Sequence, residues 1–275
     1  MKIDENVRSI IQFDDRFYQL EVDGEVRMIP SVTTKQGIEA SEGLDKWKQE
    51  MGLNAPAVLK QAADRGSRIH DAIEKALEGK GVICNPTKNP RYTRDELVGF
   101  SDAHIMNDDK EYQAVIRALN FMNSLDIETF DVETTIYDLG NNYAGRQDVR
   151  ALINSGTIRI GQKKVPLQGN YVIDWKSGGA YPKHAEQVVA YAKAWELMHK
   201  IQVDGALIVY LNAKTDSKIS FKLIKRVDFE EHFQKFLMVS KLYDMRNGIK
   251  SAPRDLLPAM VSYKAFQNQL DMGFS

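Results

Sequence analysis

Apolar and polar positions alternate over residues 17–22 and again over 25–29, with Asp23-Gly24 between the two runs. A period of two marks a half-buried strand, and Asp-Gly is a strong turn signal, so residues 17–29 read as a β-hairpin. The period then lengthens. Val58, Leu59, Ala62, Ala63, Ile69, Ile73, Ala76 and Leu77 recur at helical spacing. They predict a long helix that starts at Asn54, an N-capping residue type with Pro56 close behind, and ends near Glu78 before Gly79-Lys80-Gly81. Gly66 interrupts this stripe. A mid-helix glycine costs about 1 kcal/mol against alanine, so Gly66 points to a close approach there. A shorter helical piece lies around Leu44 to Met51. Residues 82–95, with Pro86 and Pro90, read as a loop, and residues 95–106 and 109–125 as helices.

Strand patterns dominate the middle of the chain. Residues 132–137 and 143–153 read as strands joined by a turn at Gly140-Asn141-Asn142. The polar stretch 154–169 reads as a second hairpin, and the apolar run 171–176 as a short strand closed by Ser177-Gly178-Gly179. A helix over 183–200, strands over 204–211 and 219–224, and a helix over 229–245 complete the pattern. The tail after Gly248 carries Pro253 and Pro258 and shows no clear period. This order predicts an α/β protein with one mixed sheet and helices packed on it.

Composition narrows the classes. Hydrophobic residues are 43% and charged residues 27%, ordinary for a globular chain, and the net charge of −1 offers no global field for nucleic acid. A single cysteine, Cys84, excludes a disulfide framework and a cysteine-held zinc or iron–sulfur cluster within the chain. No run is long and apolar enough to span a bilayer, so no membrane role is expected. Residues 1–6 lack an apolar signal core, and a cytoplasmic setting is the expectation.

The candidate chemistry centres on Tyr171-Val172-Ile173-Asp174-Trp175-Lys176. On a strand, Val172, Asp174 and Lys176 share one face, and Tyr171, Ile173 and Trp175 the other. A carboxylate and an ammonium on one face, in an apolar strand, suit either a local ion pair or a hard-cation site with a lysine beside it. On the long helix, Gly66, His70 and Glu74 fall on one face. Gln187 and Tyr191 are likewise four apart.

These residues carry a resemblance. Arg65-Gly66-Ser67-Arg68-Ile69-His70 with Glu74, Gly145-Arg146-Gln147-Asp148-Val149, Val172-Ile173-Asp174-Trp175-Lys176 and Gln187-Val188-Val189-Ala190-Tyr191 stand in the order of motifs in the PD-(D/E)xK nuclease superfamily. The chain resembles its branch of RecB-type and mitochondrial-genome-maintenance-type exonucleases, together with the nuclease component of CRISPR adaptation. Ile29-Pro30-Ser31-Val32-Thr33-Thr34 with Lys46-Trp47-Lys48 is similar to the lead-in of viral and mitochondrial members. The resemblance covers residues 29–211.

It implies a restriction-endonuclease-like core and a metal-dependent deoxyribonuclease, an exonuclease on DNA ends or single strands in recombination, replication or repair. It implies one nuclease domain: a lead-in over 1–53, a helical insertion over 82–128, a catalytic sheet core over 129–211, and a C-terminal strand, helix and tail over 212–275. One or two Mg²⁺ or Mn²⁺ ions would be held by His70, Asp148, Asp174 and the backbone carbonyl of Trp175. Lys176 would position or activate the attacking water. Gln187, Tyr191, Arg65, Arg68 and Arg146 would face substrate, with Glu74 and Glu133 auxiliary. Recombination or single-strand-binding proteins are the implied partners, in a bacterial or virus-infected cell. The iron–sulfur cysteines of several relatives are absent. Two alternatives stay open: an endonuclease on the same site, and a non-catalytic DNA-binding subunit that retains the fold.

Overall fold

The structure is a computed structural model that describes residues 8–12, 15–22, 25–39, 42–85, 103–212 and 218–247. Its centre is a five-stranded mixed sheet in the order β10-β9-β8-β7-β6. The strands are β6 (Asp126–Asp138), β7 (Tyr143–Ile160), β8 (Lys163–Lys176), β9 (Gly205–Tyr210) and β10 (Ser220–Lys225). Within this sheet the β8–β9 pair alone is parallel. The helix α5 (Lys183–His199) makes the crossover that a parallel pair requires.

Helices cover both faces. On one lie α3 (Ala55–Leu77) and α4 (Asp109–Asn123), whose Ile69, Ile73, Val115 and Phe121 bury Val149, Ile173, Trp175 and Val209. On the other lie α5 and α6 (Phe229–Asn247), whose Val188, Ala192, Trp195 and Phe236 bury Val172, Ile208 and Ile224. Tyr171, Ile173 and Trp175 therefore face one layer and Val172 the other, as strand alternation requires. Strand β9 is buried at all six positions because it lies between two helix layers. A mixed α/β architecture is thus what the pattern of periods produces.

A second, antiparallel sheet of β1 (Arg8–Gln12), β2 (Asp15–Val22) and β3 (Glu25–Pro30) precedes this core. The β2–β3 pair realises the expected hairpin, and its Asp23-Gly24 turn lies outside the described residues. The chain then enters α1 (Val32–Gln36) through a polar clip, and α2 (Glu42–Met51) follows in sequence. Ser31 Oγ accepts the Thr34 N–H at 2.9 Å, and Thr34 Oγ1 accepts the Arg16 N–H at 2.8 Å and donates to the Arg16 carbonyl at 3.0 Å. From α1, Lys35 is wholly buried and donates to Ser240 Oγ and Asp244 Oδ2 of α6, each at 2.8 Å. This ties the lead-in to the far end of the chain.

Several expectations change. Residues 104–106, expected helical, form β5 (His104–Met106), a parallel partner of β4 (Val82–Cys84). Cys84 and Met106 are buried, and the ladder satisfies the backbone groups buried with them. Residues 95–102 lie outside the described residues, as does the tail with Pro253 and Pro258. Helix α4 packs into the α3 layer as part of the core. Asn54 precedes α3 but makes no side-chain cap bond, because residues 52–54 are already a tight 3₁₀ turn. Residues 154–169 do form the expected second hairpin, as the outer ends of β7 and β8, which pair antiparallel from Gly156–Leu167 to Ile160–Lys163 and reverse at Gly161 with φ of 60°. Gly66 makes the close approach its cost suggested: a Cβ there would sit 3.2 Å from Ser177 Oγ.

The Lys35–Asp244 pair gives a stability test. Asp244→Ala should destabilise the protein by about 2 kcal/mol, less than a fully buried pair would lose because Asp244 keeps some solvent contact. Lys35→Met, which fills the same space without a charge, should cost less, and urea unfolding of both variants compares them.

Candidate active site

Register in the sheet assembles the site. Val132 pairs with Val149 and Thr134 with Gln147, so Glu133 falls opposite Asp148. Val149 pairs with Ile173, so Asp148 falls opposite Asp174. Three carboxylates from β6, β7 and β8 therefore stand at one level across the strands. Helix α3 adds His70, whose Nδ1 lies 3.3 Å from Asp148 Oδ1. Asp148 Oδ2 accepts the Trp175 N–H at 2.7 Å. One donor atom each from His70, Glu133 and Asp148 converge within 4.8 Å of one another.

Asp174 lies outside that trio and is held by Lys176, whose Nζ is 2.7 Å from Oδ2. Lys176 donates to Gln187 Oε1 at 3.1 Å, and Gln187 Nε2 donates to the Tyr191 hydroxyl at 3.0 Å. The four-residue spacing on α5 thus extends the β8 lysine into a polar relay. The Tyr191 ring rests against Gly145, where a Cβ would collide with it. That contact gives the Gly145-Arg146-Gln147-Asp148 stretch a physical reason for its glycine.

All of this lines a cleft of about 840 Å³. Helix α3 forms one wall with Gly66, His70 and Glu74, while Arg16, Tyr18, Ser31 and Thr33 form the other. The predicted arginines divide. Arg146 lines the cleft and is clasped by two acids, 2.8 Å from Glu74 Oε1 and 2.6 Å from Glu133 Oε2. Arg68 instead makes a two-pronged contact with Glu111 of α4, at 2.9 and 2.6 Å, and lines a separate groove. Arg65 is not among the residues that line the cleft. Sequence reasoning missed Arg16, which reaches the cleft only because the N-terminal sheet folds against β7 through the Ser31–Ala144 bridge. No signal within residues 15–18 announces that packing.

The charges perturb one another strongly. Burial alone would lower the His70 pKa, but the Asp148 carboxylate outweighs it and raises the imidazole to about 9. Burial, then the charge of Asp148, pushes Glu133 up to about 7. Asp148 and Asp174 are pushed in opposite directions. Burial opposes ionisation of both, yet His70, Lys176 and the Trp175 N–H hold Asp148 below the usual carboxylate range. For Asp174, burial wins over Lys176 and raises it. This is a cluster of mixed charges tuned by proximity, the pattern expected of working sites.

The donor set suits a hard divalent cation. Carboxylate oxygens favour Mg²⁺ or Mn²⁺, and an imidazole nitrogen tilts the set toward Mn²⁺. Asp174, ion-paired with Lys176, is a further carboxylate in the same cleft. His70, Asp148, Asp174 and Glu133 are the side chains here that could hold such an ion.

No protein-family model matches the chain, and no curated protein does. Among solved structures, the chain is similar to that of a candidate exonuclease from Eubacterium rectale, with a TM-score of 0.39 and 11% identity over 74% of this chain and 78% of that one. A likeness that loose carries no residue roles. Among the described residues, no helix is long and apolar enough to cross a membrane.

The native His70 imidazole keeps its proton to about pH 9, while the unfolded chain releases it near 6.5. The stabilisation is complete below pH 6.5 and is lost as pH rises to 9. Metal-free protein should lose about 2 kcal/mol of stability between pH 7 and 9.5. His70→Gln should flatten that slope, which chemical denaturation with chelator at each pH measures.

Proposed function

We propose that the protein is a metal-dependent deoxyribonuclease of the PD-(D/E)xK kind, a single nuclease domain that hydrolyses DNA from ends or in single strands. The observation that carries the reading is the level row of Asp148 and Asp174 with Lys176 two residues on and His70 opposite, all in one cleft. In phosphodiester hydrolysis a water oxygen bonds to phosphorus, the bond to the leaving oxygen breaks, and that oxygen takes up a proton. Bound Mg²⁺ or Mn²⁺ supplies charge neutralisation at the phosphate and a lower pKa for the attacking water.

The chain's own groups do the positioning. Asp148 is fixed by the Trp175 N–H and His70, so its carboxylate has little freedom to turn away. Lys176 is a mobile positive charge between Asp174 and Gln187, suited to hold a water or an emerging oxyanion. Gln187 and Tyr191 support that lysine and, with it, the substrate strand.

The cleft also explains how a near-neutral protein would grip a strand. Arg146 and Lys176 are matched by carboxylates, whereas Arg16 is exposed in the cleft wall, where its side chain meets the neutral Tyr18 hydroxyl and forms no ion pair with a carboxylate among the described residues. Arg16 is therefore the cleft guanidinium available to a phosphate.

Cleavage of end-labelled linear single-stranded DNA beside a circular strand of the same sequence tests the activity. Metal-dependent loss of the linear strand alone is expected. Cutting of the circle would make the enzyme an endonuclease, and silence on single strands, duplexes and RNA would sink the reading. Lys176→Ala should lower the rate by 10² or more with the fold intact, an order typical for removing one positioned charge.

Binding separates the role of Arg16 from the chemistry. With Ca²⁺ replacing the active metal, Arg16→Ala should weaken single-strand affinity equally across sequences. It should also reduce the slope of log K against log salt by about 0.7, the value for one lost phosphate contact.

A further inference from the structure

We infer that Glu133 is a direct ligand of the metal ion, beside His70 and Asp148, and not only a support for Arg146. The inference rests on the metal-dependent reading of the cleft and specifies the donor set behind it. Position is the first argument. The β6–β7 register sets Glu133 opposite Asp148, and its carboxylate meets the His70 and Asp148 donor atoms within 4.8 Å.

Backbone is the second. Glu133 has a φ of 50° in the middle of a strand. A non-glycine residue held there costs on the order of 1–3 kcal/mol, and such strain persists where its surroundings enforce it. Among the described residues the other non-glycine left-handed positions, Asn142, Lys200 and Asn212, lie outside the strands, and the one other left-handed position within a strand is a glycine, Gly169. A side chain is therefore retained at Glu133 where glycine would relieve the backbone. The strained position delivers a carboxylate that is only 12% exposed to the side of a second buried carboxylate.

Two carboxylates held together in a poorly solvated cleft favour cations beside them, and the protonated His70 serves Asp148 in the metal-free protein. Arg146 meets part of that need through Glu133 Oε2 and the Glu133 carbonyl. It approaches one side of the carboxylate, and a carboxylate has lone pairs to serve two partners. A separate observation comes from β8. Asp174 is 2% exposed, lines the same cleft, and its Oδ2 meets the flexible Lys176 ammonium at 2.7 Å. An ion among His70, Glu133 and Asp148 would have Asp174 at the next strand.

Glu74 supplies the control. It binds the other arm of Arg146 but is not part of the converging trio. A ligand role and an Arg146-positioning role therefore predict different results for the two acids.

The test is Mn²⁺ binding to the full-length protein without DNA, read from the electron paramagnetic resonance signal of free Mn²⁺. Wild type should bind. Glu133→Gln should weaken binding at least tenfold, and Glu74→Gln by less than threefold. Glu133→Gly guards against a folding artefact: it should equal or exceed wild type in metal-free thermal stability while losing the same affinity. Wild-type affinity in Glu133→Gln, or an equal loss in Glu74→Gln, would overturn the ligand role and leave the nuclease reading standing. No Mn²⁺ binding by wild type would bring down both.

Discussion

Strand register is the constraint on which the cleft depends. A slip of one residue between β7 and β8 would turn Asp174 and Lys176 to the opposite helix layer and bring Ile173 and Trp175 out of the core. The apolar residues on both sides of β8 prevent that slip, since Val172 packs with α5 and Ile173 and Trp175 with α3 and α4. Packing energy spent on the core thus also fixes the carboxylates. The Trp175 residue joins both roles: its ring sits edge-on to Phe121 at 6.1 Å, and its N–H holds Asp148. Core packing and the geometry of the acid are set by one residue.

The charges in the cleft follow from that placement. Burial makes ionisation of Asp148, Asp174 and Glu133 unfavourable, and each carries a cationic neighbour in consequence. The neighbours differ in kind. Arg146 is a planar fork shared by Glu74 and Glu133, which fixes it. Lys176 is a single ammonium on a flexible stem, free to leave Asp174 for Gln187 or a ligand. A divalent ion entering such a cluster would displace existing pairs more readily than it would open new space. The electrostatic frame is therefore already built around positive charge.

Much of this was legible from residue order. The alternation around Asp174, the His70 face of α3, and the Gln187–Tyr191 pair all follow from periodicity, because each is settled within one element. What escaped depends on contacts between elements. Arg68 looked like a phosphate ligand until α4 brought Glu111 to it. Arg16 lies far in sequence from every motif. Glu133 was closer to being readable. Asp138 pairs with Tyr143 across the turn, and counting outward from them reaches Glu133 and Asp148 together. Counting from a well-defined turn would have promoted Glu133 from an auxiliary to a facing partner of Asp148. The left-handed φ that accompanies it has no sequence signal, because glutamate is not a residue that announces such a conformation.

The bond between Lys35 and Ser240 spans 205 residues of chain. As the polypeptide leaves the ribosome, Lys35 has no partner until α6 has been made, by which time β6 to β10 have long been available to pair. The local hairpins of the sheet close small loops, whereas seating α1 closes one of the largest in the molecule. The wall that carries Thr33 and Thr34 is in this sense the last part of the cleft to be secured. A half-synthesised chain holds its acids in a row with one side of the groove unanchored, and the enclosure appears only with the nearly finished protein.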